Sequence, residues 1–129
     1  MRGDRDVVLA AVRRDGQALL YAAPALQQDK GVVLEAVAQN GLALKFAPAA
    51  LRGSRDVVLA AVSQNGCALY HAPGFQHDRG IVLAAVSKDG QALIYTSEPL
   101  KGDREVVAAA AAKNPMSLQW ASDELLEDE

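Results

Sequence analysis

The sequence predicts an all-α fold, a short α-solenoid in which five helix-turn-helix repeats of about 25 residues stack into a right-handed superhelix. Three observations predict it. The block Arg-Asp-Val-Val-Leu-Ala-Ala-Val at 5–12 returns at 55–62, and related blocks start at Lys30, Arg79 and Arg104, spacing the units 25, 25, 24 and 25 residues apart. The apolar blocks are rich in alanine and do not alternate, which suits helix and not a half-buried strand. Four of the five blocks run into an Asx-Gly pair, a helix-stop signal. The units are read as 4–28, 29–53, 54–77, 78–102 and 103–125, forming one domain with an acidic tail at 123–129.

Each unit opens at Asp4, Asp29, Ser54, Asp78 or Asp103, side chains whose oxygens accept the open amides of a first helical turn. A helix of about ten residues follows. Its apolar columns are Val7-Val8, Val32-Val33, Val57-Val58, Ile81-Val82 and Val106-Val107, closing at Val12, Val37, Val62, Val86 and Ala111. Asp15-Gly16, Asn40-Gly41, Asn65-Gly66 and Asp89-Gly90 end it, with the glycines expected in the left-handed conformation of a helix C-terminus. Asn114-Pro115 takes this place in the fifth unit.

A second, shorter helix of two turns is predicted next. Leu19, Ala22 and Leu26 fall on one face at α-helical spacing, and the column Leu19, Leu44, Leu69, Leu93, Leu118 supplies its core contact. Tyr21, Phe46, His71, Tyr95 and Trp120 stand two residues on. Pro24, Pro48, Pro73 and Pro99 then lead a turn to the next cap. A helix as apolar as Val7–Val12 must be covered on several sides, so a single unit cannot fold alone and stability accrues by stacking. The competing architecture is a leucine-rich-like βα repeat of similar period. The Leu-x-x-Leu-x-Leu-x-x-Asn pattern is missing, and the five alanines Ala108–Ala112 oppose a strand.

The unit Asp-Arg-Asp-Val-Val-Leu-Ala-Ala-Val-x-x-Asn/Asp-Gly-x-Ala-Leu-x-Tyr-Ala resembles the tandem repeat family called domain of unknown function 4116. The resemblance covers the whole chain, strongly over 4–101 and more weakly after Arg104. It implies a small helical module used in tandem, and brings no activity, substrate or catalytic residue with it.

Charge excludes some functions. The chain carries a net charge of −3, yet Asp123, Glu124, Glu127, Asp128 and Glu129 hold five of the sixteen acids. The remaining body, thirteen basic against eleven acidic residues, is close to neutral and lacks the basic footprint of a nucleic-acid binder. Cys67 is the only cysteine, so no internal disulfide can form, which suits the cytoplasm or another reducing compartment. No apolar run reaches membrane-spanning length and no apolar signal core follows Met1; import after removal of a leader stays open.

Nothing in the sequence points to catalysis or to a cofactor. Cys67, His71 and His77 do not have a zinc-ligand spacing, and each is explained by its column or turn. The glycines follow helices and do not open them, so a phosphate loop is not expected. Glu35 replaces the alanine found at Ala10, Ala60, Ala84 and Ala109, either as an exposed position or as a contact unique to the second unit.

The functional expectation rests on where the copies differ. The column Leu20, Lys45, Tyr70, Ile94, Gln119 and the column Gln17, Leu42, Cys67, Gln91, Met116 vary, and both lie on the second helix. Leu20, Tyr70, Ile94, Leu42 and Met116 are the candidate partner-binding residues there, the competing reading being burial on two sides. Val7 and Val8 are candidates at the first unit, which lacks the degenerate character of the fifth and calls for cover by a preceding segment, a second copy or a partner protein. The chain thus reads as a non-catalytic protein–protein interaction module or accessory subunit. A regulatory or ligand-binding repeat domain is the alternative.

Overall fold

The computed structural model of the chain describes residues 4–122, all of whose regular elements are helical. No strand occurs among them, which removes the leucine-rich-like alternative. The acidic tail, and with it the last residues of the fifth unit at 123–125, lies outside the described residues.

Each unit begins with a ten-residue α-helix: Arg5–Arg14, Lys30–Gln39, Arg55–Gln64, Arg79–Lys88 and Arg104–Lys113. Four start as the sequence predicts. Asp4 accepts from the amides of Asp6 and Val7, Asp29 from Val32, Asp78 from Ile81, and Asp103 from Glu105 and Val106. Ser54 differs: its side chain makes no capping bond, and only its backbone conformation marks the helix start.

The second element is a correction. Gly16–Tyr21, Gly41–Phe46, Gly66–His71, Gly90–Tyr95 and Pro115–Trp120 are six-residue 3₁₀ helices, not α-helical turns. With three residues per turn, positions i, i+3 and i+6 eclipse. Gly16, Leu19 and Ala22 therefore form one buried edge, as do Gly41, Leu44, Ala47 and Gly66, Leu69, Ala72. Leu26, assigned to this helix from its spacing, sits in a separate short helix, Pro24–Gln27, where it is half-buried. Comparable four-residue helices occupy Ala49–Arg52 and Glu98–Lys101, whereas unit 3 has only the 3₁₀ turn Pro73–Phe75.

The glycines also serve a different purpose from the one expected. None of those described has a positive φ. The preceding Asp or Asn ends the α-helix in an extended conformation, near φ −150° at Asp15, and its side chain caps the 3₁₀ helix. Its oxygen lies 3.0 Å from the amide of Gln17 in unit 1, 3.0 Å from Leu42, 3.0 Å from Cys67 and 2.9 Å from Gln91 in the units that follow. Glycine is needed for space. A Cβ on Gly16, Gly41, Gly66 or Gly90 would be driven into the backbone carbonyl of Ala36, Ala61, Ala85 or Ala110, on the next unit's long helix.

That contact organises the stack. Consecutive long helices pack on one another, and in units 1 to 4 the six-residue 3₁₀ helix lies against its own long helix and the next. Val32, Val57, Ile81 and Val106 are fully buried at these joints, as are Leu19, Leu44, Leu69 and Leu93. Each such side chain contributes about 2 kcal/mol through loss of apolar surface. The end units differ: Val7 is 47% exposed and Leu118 41% exposed, where internal counterparts are sealed. The long helices also keep a solvent face, at Leu59 and Ser63 for example, so they are less fully enclosed than their composition suggests.

Gly41→Ala should destabilise the protein by about 2–4 kcal/mol, because backbone must move to admit the methyl group. Gly74→Ala, which meets nothing within 4 Å, should be neutral or slightly stabilising by restricting the unfolded chain. Urea melts of the two variants test this, and equal midpoints would contradict it.

Candidate functional site

The 3₁₀ geometry aligns the two variable columns. Gln17 and Leu20, Leu42 and Lys45, Cys67 and Tyr70, Gln91 and Ile94, and Met116 and Gln119 are i, i+3 pairs on one edge. Neighbouring 3₁₀ helices touch in series, so these pairs form a strip along the units. Leu20 and Ile94 are exposed, Tyr70 is 61% exposed and Met116 68% exposed; Leu42 is half-buried. The Tyr70 ring lies 5.3 Å from that of Tyr95 and 5.2 Å from that of His71.

The adjacent 3₁₀ edge carries the aromatic column, for which the sequence predicts a place in the core or at its border. Tyr21 is exposed, and Phe46, His71, Tyr95 and Trp120 are half-buried. Lys45 Nζ sits 5.1 Å from the centre of the Phe46 ring. A period of three in the sequence would have revealed that these aromatics border the variable strip. Val7 is exposed away from the strip, on the leading face of unit 1. Val8 is a correction: at 6% exposure it packs into the core and is not available to a partner.

The charge pattern has its own periodicity. Arg5 reaches Asp29 at 2.8 Å, Arg55 reaches Asp78 at 3.0 Å, and Arg79 reaches Asp103 at 2.7 Å. Each basic residue thus binds the carboxylate that caps the next unit. Where Ser54 replaces that aspartate, Lys30 turns to Asp56 at 3.1 Å, and Arg79 contacts Glu105 as well as Asp103. Asp6, Asp56 and Glu105 occupy this position in odd units. Even units have Gly31 and Gly80, whose added Cβ atoms would crowd the guanidinium groups of Arg5 at 2.8 Å and Arg55 at 2.7 Å. Glu35 makes a contact that no other unit repeats, with Arg13 at 2.8 Å.

The arginine hydrogen bonds are the first cause holding the Asp29, Asp78 and Asp103 carboxyls below their ordinary value, assisted by the capped amides. A depressed carboxyl pKa adds stability above the unfolded value, and that stability is lost as pH falls through the folded one. The ladder therefore weakens in acid. The arginines are about half exposed to water, which screens their pairing with the half-buried aspartates, so each rung contributes little.

Cys67 is half-buried and its sulfur lies 3.3 Å from Asp89 Oδ2. Burial, then this bond to a carboxylate, pushes its pKa up to about 11, so the sulfur is a neutral donor at physiological pH. His71 is held below its ordinary value, first by burial and then by the charges of Lys45 and Arg52. Among the described residues, no three His, Cys, Asp or Glu side chains converge. His71 instead lines a shallow recess of about 240 Å³ with Arg52 and Phe75.

The family described as Domain of unknown function (DUF4116) matches residues 29–76 and again residues 78–126, about three quarters of the chain. The chain belongs to this family. Each match spans two units, the second with the third and the fourth with the fifth. The DUF4116 module is thus a pair of 25-residue units, which agrees with the alternation of Gly31 and Gly80 with Asp56 and Glu105. Comparison with curated proteins and with solved structures found no match.

Replacing Arg55 by Gln should move the Asp78 carboxyl upward toward its ordinary value and leave Asp29 unchanged. Carboxyl carbon chemical shifts followed against pH would report it, and an unmoved Asp78 would refute the ladder as the cause. Cys67 should react with iodoacetamide at neutral pH about a hundredfold more slowly than a peptide cysteine, because so little thiolate is present. Asp89→Asn should speed that reaction, whereas a parent rate equal to the peptide's would contradict the raised pKa.

Proposed function

We propose that the chain is a non-catalytic interaction module that presents its strip of variable 3₁₀ residues to a protein partner. The observation that carries this reading is the eclipsed alignment of Leu20, Tyr70, Ile94 and Met116, exposed on one edge of units 1, 3, 4 and 5, with Leu42 half-buried and Lys45 exposed at the same edge of unit 2. Scattered apolar residues on a surface need no explanation, but a row repeated by the architecture is a patch of the kind that recognises a partner. Tyr70 and Met116 are of types enriched at interfaces, and Leu20 and Ile94 extend the apolar surface. Helical arrays commonly use such variable columns, because a column can change without disturbing the shared core.

The leading face of unit 1, where Val7 is exposed beside the capping Asp4, is offered as a second contact, for a protein partner or a second copy. A reducing compartment such as the cytoplasm suits the single Cys67. No described helix is long and apolar enough to cross a membrane. The alternative of a ligand-binding repeat domain is favoured by one feature, the recess beside Arg52 and His71.

A photo-crosslinking amino acid placed at position 70 or 94 should label the same protein in the organism's own extract, and one at the exposed long-helix position Ser87 should not. The triple variant Leu20→Ser, Tyr70→Ser, Ile94→Ser should keep a melting midpoint close to the parent's, yet abolish that labelling from position 42. Equal labelling from Ser87, or collapse of the fold in the triple variant, would sink the proposal.

A further inference from the structure

The shortest unit of the array borders a recess beside an arginine whose Nε has no hydrogen-bond partner. Unit 3 is a residue shorter than its neighbours, and its linker is the 3₁₀ turn Pro73–Phe75 where units 1, 2 and 4 have a four-residue helix. A recess of about 240 Å³ opens there between units 2 and 3. Ala49, Arg52 and Gly53 line one side, and His71, Pro73 and Phe75 the other. None of the residues lining it is acidic.

Arg52 is the unusual member. Its Nε is buried and has no hydrogen-bond partner, and Arg52 is in none of the ion pairs among the described residues. Two of its counterparts, each eleven residues past the start of the 3₁₀ helix, are satisfied. Gln27 Nε2 donates to the carbonyls of Leu19 at 3.1 Å and Leu20 at 3.0 Å. Lys101 Nζ lies 3.6 Å from Glu98. A buried guanidinium N–H with no acceptor is costly, and native proteins rarely leave one so. His71 adds an imidazole to the same wall, and Lys45 lies near enough to act on it. Phe75, Pro73 and Ala49 supply apolar walls beside these donors.

We propose that this recess is a binding site for a small anion, a carboxylate or phosphate carried on a flat apolar body, held by Arg52 with His71 as the second donor. The guanidinium supplies the fixed charge and a planar fork suited to either oxyanion. The apolar walls take the body of the ligand, and the deletion in unit 3 makes the room. No residue lining the recess belongs to the exposed strip, although Tyr70 borders His71, so the proposal stands whether or not the strip binds a protein.

The test uses benzoate, phenyl phosphate and neutral benzamide as probes, added to the isotope-labelled full chain and followed by its amide and arginine Nε–H resonances. Benzoate or phenyl phosphate should shift Arg52, His71 and Gly74 with saturation in the millimolar range, and benzamide should not; which of the two binds more tightly separates carboxylate from phosphate. Arg52→Gln should weaken binding about tenfold or more, the loss expected for one charge-assisted hydrogen bond. That variant should fold, because Gln27 occupies the same position in unit 1. His71→Phe, which installs the side chain that unit 2 carries at Phe46, should weaken binding several-fold while keeping the fold. Absence of saturable shifts with both anions, benzamide binding as tightly as benzoate, or unchanged affinity in Arg52→Gln would each overturn the proposal.

Discussion

The approach of one glycine to the carbonyl of the following unit's long helix sets the geometry of the array. At Gly16, Gly41, Gly66 and Gly90 the backbone of a 3₁₀ helix passes so near the next helix that no Cβ can be accommodated. Two of these glycines also donate their amides across the joint, Gly16 to Gln39 at 2.6 Å and Gly41 to Gln64 at 2.6 Å. Because the helices come this close, small valines and alanines suffice to fill the space between them, and large aromatics are displaced to the rim. Pro115 stands in the glycine position of unit 5, with a Cβ and no amide hydrogen. The same joint cannot be built on it.

A second layer of order lies on top of the first. The core repeats every unit, but the charged surface repeats every two. An arginine that lies over Gly31 or Gly80 engages a capping aspartate, whereas Lys30 and Arg79 reach the acid of the next odd unit. This two-unit period agrees with the family matches, each of which spans two units. Screened by water, these ion pairs add little to stability individually. They do constrain which residues can follow one another at the helix starts.

The helical class, the unit boundaries, four of the five aspartate or serine caps and the Leu20, Tyr70 and Ile94 positions are legible in the sequence, because each depends on local chemistry or on a repeated column. Other features are not. Asx-Gly after a helix signals a left-handed stop in isolation, and only the neighbouring unit reveals the collision that these glycines avoid. Leu19, Ala22 and Leu26 suggest α-helical spacing for the second helix, although Gly16, Leu19 and Ala22 already carry a period of three. Val8 resembles Val7 by column and both columns are buried in every later unit, yet Val7 stands open in unit 1 because its column is the one sealed by a preceding unit, whereas Val8 packs into the core.

By itself the sequence determined that the chain is a run of five helical units with a shared apolar spine, because propensity, capping and periodicity act within a few residues. Tertiary structure decided the rest. It showed that the second helix is 3₁₀, that the glycines are spacers, that the variable columns share one edge, and that Arg52, its Nε without a hydrogen-bond partner, lines a recess beside the shortened unit 3. Those properties belong to the joints between units. A joint is made by atoms about 25 residues apart in the chain, which no local pattern brings together.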